Sequence, residues 1–352
     1  MAKKLFLRNW KLILNIVTIV ALIVFVIAIW DKLVETYENI DRIHWWAFVL
    51  IFLTQVWNYD AQTRLYRTLF VIVGNKFSYK YLLRAAMELN FINNVFPSGG
   101  VSGISYFGAR MRSASNNVTA GKATLVQLMK LLMLYLSFEV LLIAGIFMLA
   151  LEGDINSLVL LTSAVIATSI IFGTALFAYI LARKSRVENF HKWLVKSYNK
   201  TARTLSRKPD RPHEDLQRVH FLLTELQGNF MVIKKEYRRL KMPLVHALFA
   251  NLSEILCIYV VYVAFGEWVN LGAVIVAYSV ANFAGLISVL PGGVGIYEAL
   301  MTTVLVACGI PLALSLPVTI MYRVLSSLIQ LPPGYYFYHR AIKDNKLAAQ
   351  HA

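Results

Sequence analysis

The chain has 352 residues, of which 58% are hydrophobic and only 15% charged. A soluble domain carries roughly a quarter charged residues, so together with a mean hydropathy of +0.58 this composition excludes an ordinary soluble enzyme. A net charge of +16 would point to nucleic acid in a soluble protein. Here the basic residues fall in loops between apolar runs, as the positive-inside rule requires, and no nucleic-acid partner is expected. Alternating segments of about ten residues are absent, which argues against an outer-membrane barrel.

Apolar runs of about 20 residues cross a hydrocarbon core of about 30 Å as helices. The first, Leu12 to Trp30, follows a basic N-terminus as a signal peptide would. It is too long for a signal h-region and has no small-residue cleavage site, so it is expected to be a retained span. Full spans are predicted at 12–30, 45–61, 123–149, 157–182, 244–266 and 317–338. Two segments differ. Residues 82–110 are interrupted by Pro97, Gly99, Gly100 and Gly103, and residues 271–310 by Pro291, Gly292, Gly293 and Gly295. Such breaks free backbone polar groups, which survive in a membrane only inside protein or beside water. Both segments are therefore predicted to be broken re-entrant hairpins.

Loop charge sets the orientation. Lys3, Lys4, Arg8 and Lys11 precede the first span, Arg64, Arg67, Lys76, Lys80 and Arg84 follow the second, and the 183–243 loop and the tail are basic. The loops between carry Asp31, Glu35, Glu38 and Asp41, then Glu152 and Asp154. Both termini are thus expected in the cytoplasm, in a multi-pass protein of the cytoplasmic (inner) cell membrane. The two hairpins then enter from opposite sides. Their breaks are similar in sequence, and Asn90-Phe91 and Asn282-Phe283 precede them, as an inverted-repeat transporter would show. The expected fold is all-α: a polytopic membrane helical bundle of six full spans plus two broken hairpins, forming one domain over 1–352. Within it, the basic 183–243 loop is predicted to form two amphipathic helices at the membrane surface. Val187, Phe190, Trp193, Leu194 and Tyr198 recur at helical spacing in one, Leu216 to Leu240 forms the other, and Pro209 and Pro212 separate them.

Ionisable residues within spans cost roughly 2.5–3.5 kcal/mol at a helix centre, so they tend to face a cavity or a partner. The candidates are Glu88, Lys130, Glu139, Glu254, Glu298 and Arg323. Glu298 lies one turn after the Gly292-Gly293 break, near a half-helix start whose free N–H groups favour an anion. It can meet a cationic headgroup. Alternatively the N–H groups of Gly292, Gly293 and Gly295 take a phosphate while Glu298 pairs with Arg323, or Glu298 is a helix cap. Arg323 suits bidentate phosphate binding or a structural pair with Glu254 or Glu298. Lys130 is expected to touch phosphate or to pair with Glu139 or Glu88. Arg84 and Glu88 are four apart and predict a surface bridge. Arg110 and Arg112, after the first break, suit either headgroup capture or anchoring at the lipid surface. Asn90, Asn93, Asn94 and Asn282 are expected to satisfy freed backbone. Cys257 and Cys308 form no metal or redox pattern, and the histidines have no paired spacing, so neither metal nor cofactor is predicted. No P-loop or GxSxG elbow is present.

At the two breaks the chain resembles the lysylphosphatidylglycerol synthase transmembrane-region family of flippase-like membrane proteins. The residues carrying the likeness are Asn94-Val95-Phe96-Pro97-Ser98-Gly99-Gly100 with Arg110 and Arg112, and Pro291-Gly292-Gly293-Val294-Gly295-Ile296-Tyr297-Glu298-Ala299. Many members carry an acidic residue after the first glycines where this chain has Gly103-Ile104, so no role of that acid transfers. The resemblance implies a lipid-handling domain that translocates an anionic, aminoacylated or polyprenyl-linked lipid. Its partners would be membrane lipids, and a lipid-modifying enzyme and a second copy of the chain are both compatible with it. The chain ends at Ala352, soon after the last span, so the cytosolic synthase domain of the best-known relatives is not expected. The alternatives are a membrane enzyme transferring a group to a lipid carrier, with Glu298 or Glu88 as base, and a scaffold for a lipid-modifying partner.

Overall fold

A computed structural model describes residues 45–95, 101–115, 117–152, 157–205, 213–285 and 295–348, together with Val34. The described residues form eleven α-helices and one 3-10 turn, Tyr237–Leu240, and include no strand. This is the expected all-α class of a polytopic membrane protein. An apolar chain in lipid satisfies its backbone only within helices or a closed barrel. In chain order the helices are α1 (Trp45–Ile72), α2 (Tyr79–Val95), α3 (Val101–Ala114), α4 (Ala120–Glu152), α5 (Ser157–Leu181), α6 (Lys184–Leu205), α7 (His213–Lys235), α8 (Lys241–Ala264), α9 (Leu271–Gly285), α10 (Ile296–Ala307) and α11 (Leu312–Ala348).

Four stretches are long and apolar enough to cross a membrane: Ala120–Leu151, Val159–Leu181, Tyr237–Ala264 and Leu312–Lys343. They contain or overlap the spans predicted at 123–149, 157–182, 244–266 and 317–338. The predicted span 45–61 is the first part of α1, which does not stop there but continues to Ile72 through Asp60, Arg64 and Arg67. Its 28 residues reach about 42 Å at 1.5 Å per residue, but Gln55, Asn58, Asp60, Gln62 and Arg64 interrupt its apolar run, so it is long enough to cross without being one of the four apolar stretches. The predicted span 12–30 lies outside the described residues, as do Pro97, Gly99, Gly100, Pro291, Gly292 and Gly293. The arms of both predicted hairpins are present: α2 packs on α3, and α9 on α10. Each arm has 12 to 17 residues, short of the roughly 20 needed to span.

Two apolar clusters hold the bundle together. One joins Ile51 of α1 and Phe138 and Leu142 of α4 to α8, α9, α10 and α11 through Ile258, Tyr262, Val274, Met301 and Leu325. The other joins the later part of α1 and the first half of α4 to α2, α3 and α7, through Tyr66, Phe70, Leu82, Phe107, Met129 and Phe230. Helices α1 and α4 therefore run through both clusters. Outward faces are apolar as well: Ile143, Phe147, Leu161, Ile171 and Phe172 are exposed, which suits lipid and not water.

The 183–243 loop forms the two predicted helices, α6 and α7. Its second helix is not a free surface element. Leu226, Phe230 and Ile233 of α7 are buried in the second cluster, and Glu225 accepts a hydrogen bond from the Gly121 N–H at 2.9 Å. Lys192, Trp193 and Lys196 of α6 remain exposed.

Helices α4 and α9 cross where neither has a side chain. A Cβ on Gly272 would lie 2.6 Å from the carbonyl oxygen of Gly145, a backbone atom that cannot move aside. Small residues at such crossings let membrane helices approach closely. Gly272→Leu is expected to cost roughly 1–3 kcal/mol or more through forced backbone separation. Gly228→Ala, on α7 with open space around it, is expected to be neutral or slightly stabilising. Reversible SDS unfolding of the purified protein measures both, and equal costs would contradict the close crossing.

Candidate functional site: a carboxamide-lined cavity between the helices

The seam between the two apolar clusters is polar. On α1, Gln55, Asn58 and Gln62 lie between Ile51 of one cluster and Leu65 of the other, at intervals of three to four residues that place them on one helical face. Helix α8 places Asn251 and Glu254 opposite, and α11 places Tyr322, Arg323, Ser326 and Gln330 there. The ends of the broken arms complete the ring, with Asn90 and Asn94 from α2 and Tyr278 and Asn282 from α9. All of these except Gln55 line a cavity of about 250 Å³. Glu254 lies about 20 Å along α8 from Lys241, near the middle of that helix.

Side chains around the cavity form a linked network. The Glu254 carboxylate accepts hydrogen bonds from the Tyr322 hydroxyl (2.6 Å), Gln330 Nε2 (3.4 Å) and Gln55 Nε2 (3.5 Å), all neutral groups. Gln330 also accepts from Asn90 Nδ2 at 2.6 Å, and the same amide donates to the Tyr59 hydroxyl at 3.1 Å. Asn94 donates back to the Asn90 side chain at 3.0 Å. On the other side, Gln62 donates to Asn58 Oδ1 at 2.6 Å, while Asn58 Nδ2 donates to the Ala250 carbonyl at 2.9 Å and to Ser253 at 3.1 Å. Phe138 stands edge-on to Tyr278, with Tyr135 beside it, and closes one wall with aromatic rings.

The predicted site residues are only partly gathered here. Arg323 lines the cavity, and its Nε lies 3.8 Å from Glu298 Oε1, one of the two pairings expected for it. Its guanidinium also stands 4.6 Å from the centre of the Tyr297 ring. Glu298 is at the same time a helix cap, because its Oε2 accepts the Gly295 N–H at 2.6 Å. Gly295 has φ +91°, a conformation that L side chains rarely adopt, so the turn into α10 needs glycine. Two pairings expected from sequence are corrected. Lys130 meets neither Glu139 nor Glu88. Its ammonium donates to Gln62 Oε1 at 2.8 Å and sits over the Tyr66 ring, so it contacts the network through an amide. Among the described residues, Glu139 Oε1 is buried without a hydrogen-bond partner. Glu88 does not bridge Arg84, which instead sits over the Phe337 ring. Glu88 is held by Arg110 from α3, which packs against α2 and presents its guanidinium to the carboxylate. Arg112 is exposed, and its Nε donates to the Gly108 carbonyl of its own helix at 3.4 Å.

The asparagines do more than the sequence indicated. Asn94 and Asn282 each donate to a carbonyl of their own helix, as expected for backbone satisfaction. Together with Asn90 they also line the cavity. Gln55, Asn58, Gln62, Asn251, Tyr322, Ser326 and Gln330 were not singled out from the sequence. Their signal was present, since neutral carboxamides repeated on one face of an apolar span need buried partners as ions do.

The model of the family described as "Lysylphosphatidylglycerol synthase TM region" matches residues 12–334. Two similar proteins are UPF0104 membrane proteins of Methanothermobacter thermautotrophicus. One is 36% identical over 80 residues (23% of this chain, 24% of the relative), the other 26% identical over 167 residues (47% of each). A UPF0104 membrane protein of Pyrococcus horikoshii is 22% identical over 238 residues, 67% of this chain and 69% of that protein. The chain thus spans less than half the length of both Methanothermobacter relatives.

Proposed function

The chain belongs to the lysylphosphatidylglycerol synthase transmembrane-region family, and from that premise we propose that it translocates the headgroup of a lipid across the cytoplasmic membrane. One observation carries this reading: a polar cavity of about 250 Å³, ringed by carboxamides with Glu254 and Arg323, inside a bundle whose outer face is apolar. Drug-sized ligands occupy roughly 300–1,000 Å³. The cavity therefore suits a headgroup whose hydrocarbon lies outside it. Carboxamides both donate and accept hydrogen bonds and can replace the water that a headgroup loses. Arg323 offers a fork for phosphate, and Glu254 offers a negative charge to an ammonium group. The substrate class is an anionic, aminoacylated or polyprenyl-linked lipid. Asn90, Asn94 and Asn282 stand near the ends of the two broken arms, so movement of either arm would open the cavity to one side, as in an inverted-repeat transporter with both termini in the cytoplasm.

The test is lipid translocation in sealed proteoliposomes, with labelled phosphatidylcholine, phosphatidylglycerol, lysylphosphatidylglycerol and undecaprenyl phosphate. Accelerated crossing of one class over the others is the expected result. Equal, protein-independent crossing of all four by folded protein overturns the reading and favours a role without transport.

A further inference from the structure

A second cavity adjoins the first and is apolar. Leu128, Leu132 and Tyr135 of α4, Thr174 and Phe177 of α5, and Phe283 of α9 border a groove of about 240 Å³. Its one serine, Ser169, donates its hydroxyl to the Val165 carbonyl at 2.7 Å, so it asks for no polar occupant. The groove lies on the lipid-facing side of the bundle, where Val165, Ile171, Phe172 and Leu176 of α5 are exposed.

Two features join this groove to the polar cavity. Tyr135 lines both. On α9, Asn282 lines the polar cavity while its neighbour Phe283 lines the groove. An amphipathic ligand laid across Tyr135 and the Asn282-Phe283 step would have its polar end among carboxamides and its hydrocarbon among Leu128, Leu132 and Phe177. We infer that this groove is the chain-binding half of a single lipid site. It holds one hydrocarbon chain of the lipid whose headgroup occupies the polar cavity. The inference rests on reading that cavity as a headgroup site. It adds that lipid is selected at both ends: a headgroup without a chain, or a chain without the right headgroup, occupies the site poorly.

Gly173 offers a clean obstruction. It borders the groove, and a Cβ built on it meets nothing within 4 Å. Gly173→Phe is expected to place a ring in the groove, starting from a Cβ that meets nothing, and Gly173→Ala is the matched control. Wild-type protein in phosphatidylcholine nanodiscs is irradiated with three probes that carry a diazirine in the hydrocarbon: phosphatidylcholine, phosphatidylglycerol and undecaprenyl phosphate. Adducts are mapped by peptide mass spectrometry. The expected result is that one probe labels Leu132, Thr174 or Phe177 at least about fivefold over the others at equal mole fraction. That preference persists in Gly173→Ala and is lost in Gly173→Phe. Uniform labelling by all three probes means the groove takes bulk lipid and overturns the inference, as does no labelling of these residues. Because labelling is read on the wild type, a poorly folding Gly173→Phe does not shelter the inference. Translocation measured in parallel separates the two ideas. Selective labelling without crossing leaves the chain site standing and sinks the translocator reading. Crossing with uniform labelling does the reverse.

Discussion

Glu254→Gln is expected to lower lipid translocation in proteoliposomes by at least about tenfold while leaving the protein folded, equivalent to about 1.4 kcal/mol or more on the rate-limiting barrier. The carboxylate is the acceptor on which three neutral donors converge, from α1 and α11. Glutamine keeps the shape but removes the charge. It also turns one acceptor oxygen into an NH₂ group, which then faces the amide of Gln55 or Gln330, donor against donor. The short Tyr322 bond changes from charge-assisted to neutral and should weaken by about half. An ammonium-bearing headgroup would lose its only carboxylate among the cavity-lining residues. Tyr322→Phe removes one donor without altering the charge and is expected to have a smaller effect. Wild-type translocation by a folded Glu254→Gln protein would remove Glu254 from the mechanism and leave it a structural acceptor.

Glu88→Ala is expected to produce the largest loss of stability among single substitutions at ionised groups, roughly 3–5 kcal/mol, because it leaves a partly buried guanidinium without its carboxylate. The Glu88 side chain is 1% exposed and that of Arg110 16%. Two bonds join them, Arg110 Nε to Oε2 at 2.9 Å and Nη2 to Oε1 at 3.2 Å, the fork geometry that makes such pairs specific. The Tyr106 hydroxyl donates to the same carboxylate at 2.8 Å, and the guanidinium stands 4.9 Å from the centre of the Tyr81 ring. The pair fastens α3 to α2 across the break between them. Glu88→Ala would therefore both expose an uncompensated charge and loosen the hairpin. Replacing both partners, Glu88→Met with Arg110→Met, is expected to recover most of the loss, since no charge is then stranded. Equilibrium unfolding in SDS checks all three proteins. A cost below about 1 kcal/mol for Glu88→Ala would mean the pair is solvated and does not hold the hairpin.

The helical elements follow from local chemistry. Apolar length, the Pro/Gly breaks and loop charge are local properties, and a helix in lipid is the solution that local backbone chemistry leaves open. Four predicted spans, the arms of both hairpins and the two helices of the basic loop follow from these alone. The cap by Glu298 was also legible, because a cap joins residues three apart. The pairing of Asn90-Phe91 with Asn282-Phe283 was visible as a repeat, and the fold places both asparagines at one cavity.

Which side chains meet depends on how the helices pack. Glu88 chose Arg110, 22 positions away, over Arg84, one turn away, because the hairpin turns α3 back onto α2 and the fork needs a facing helix. Lys130 found Gln62, 68 positions away, since α1 and α4 both contribute to both apolar clusters and touch each other. The ionisable residues alone do not mark the cavity. The commonest residues in its wall are carboxamides, whose cost in an apolar span is smaller than that of a charge and does not single out any one of them. They become a site only where α1, α8 and α11 converge with the ends of α2 and α9, because polar groups excluded from lipid lower their free energy by facing one another.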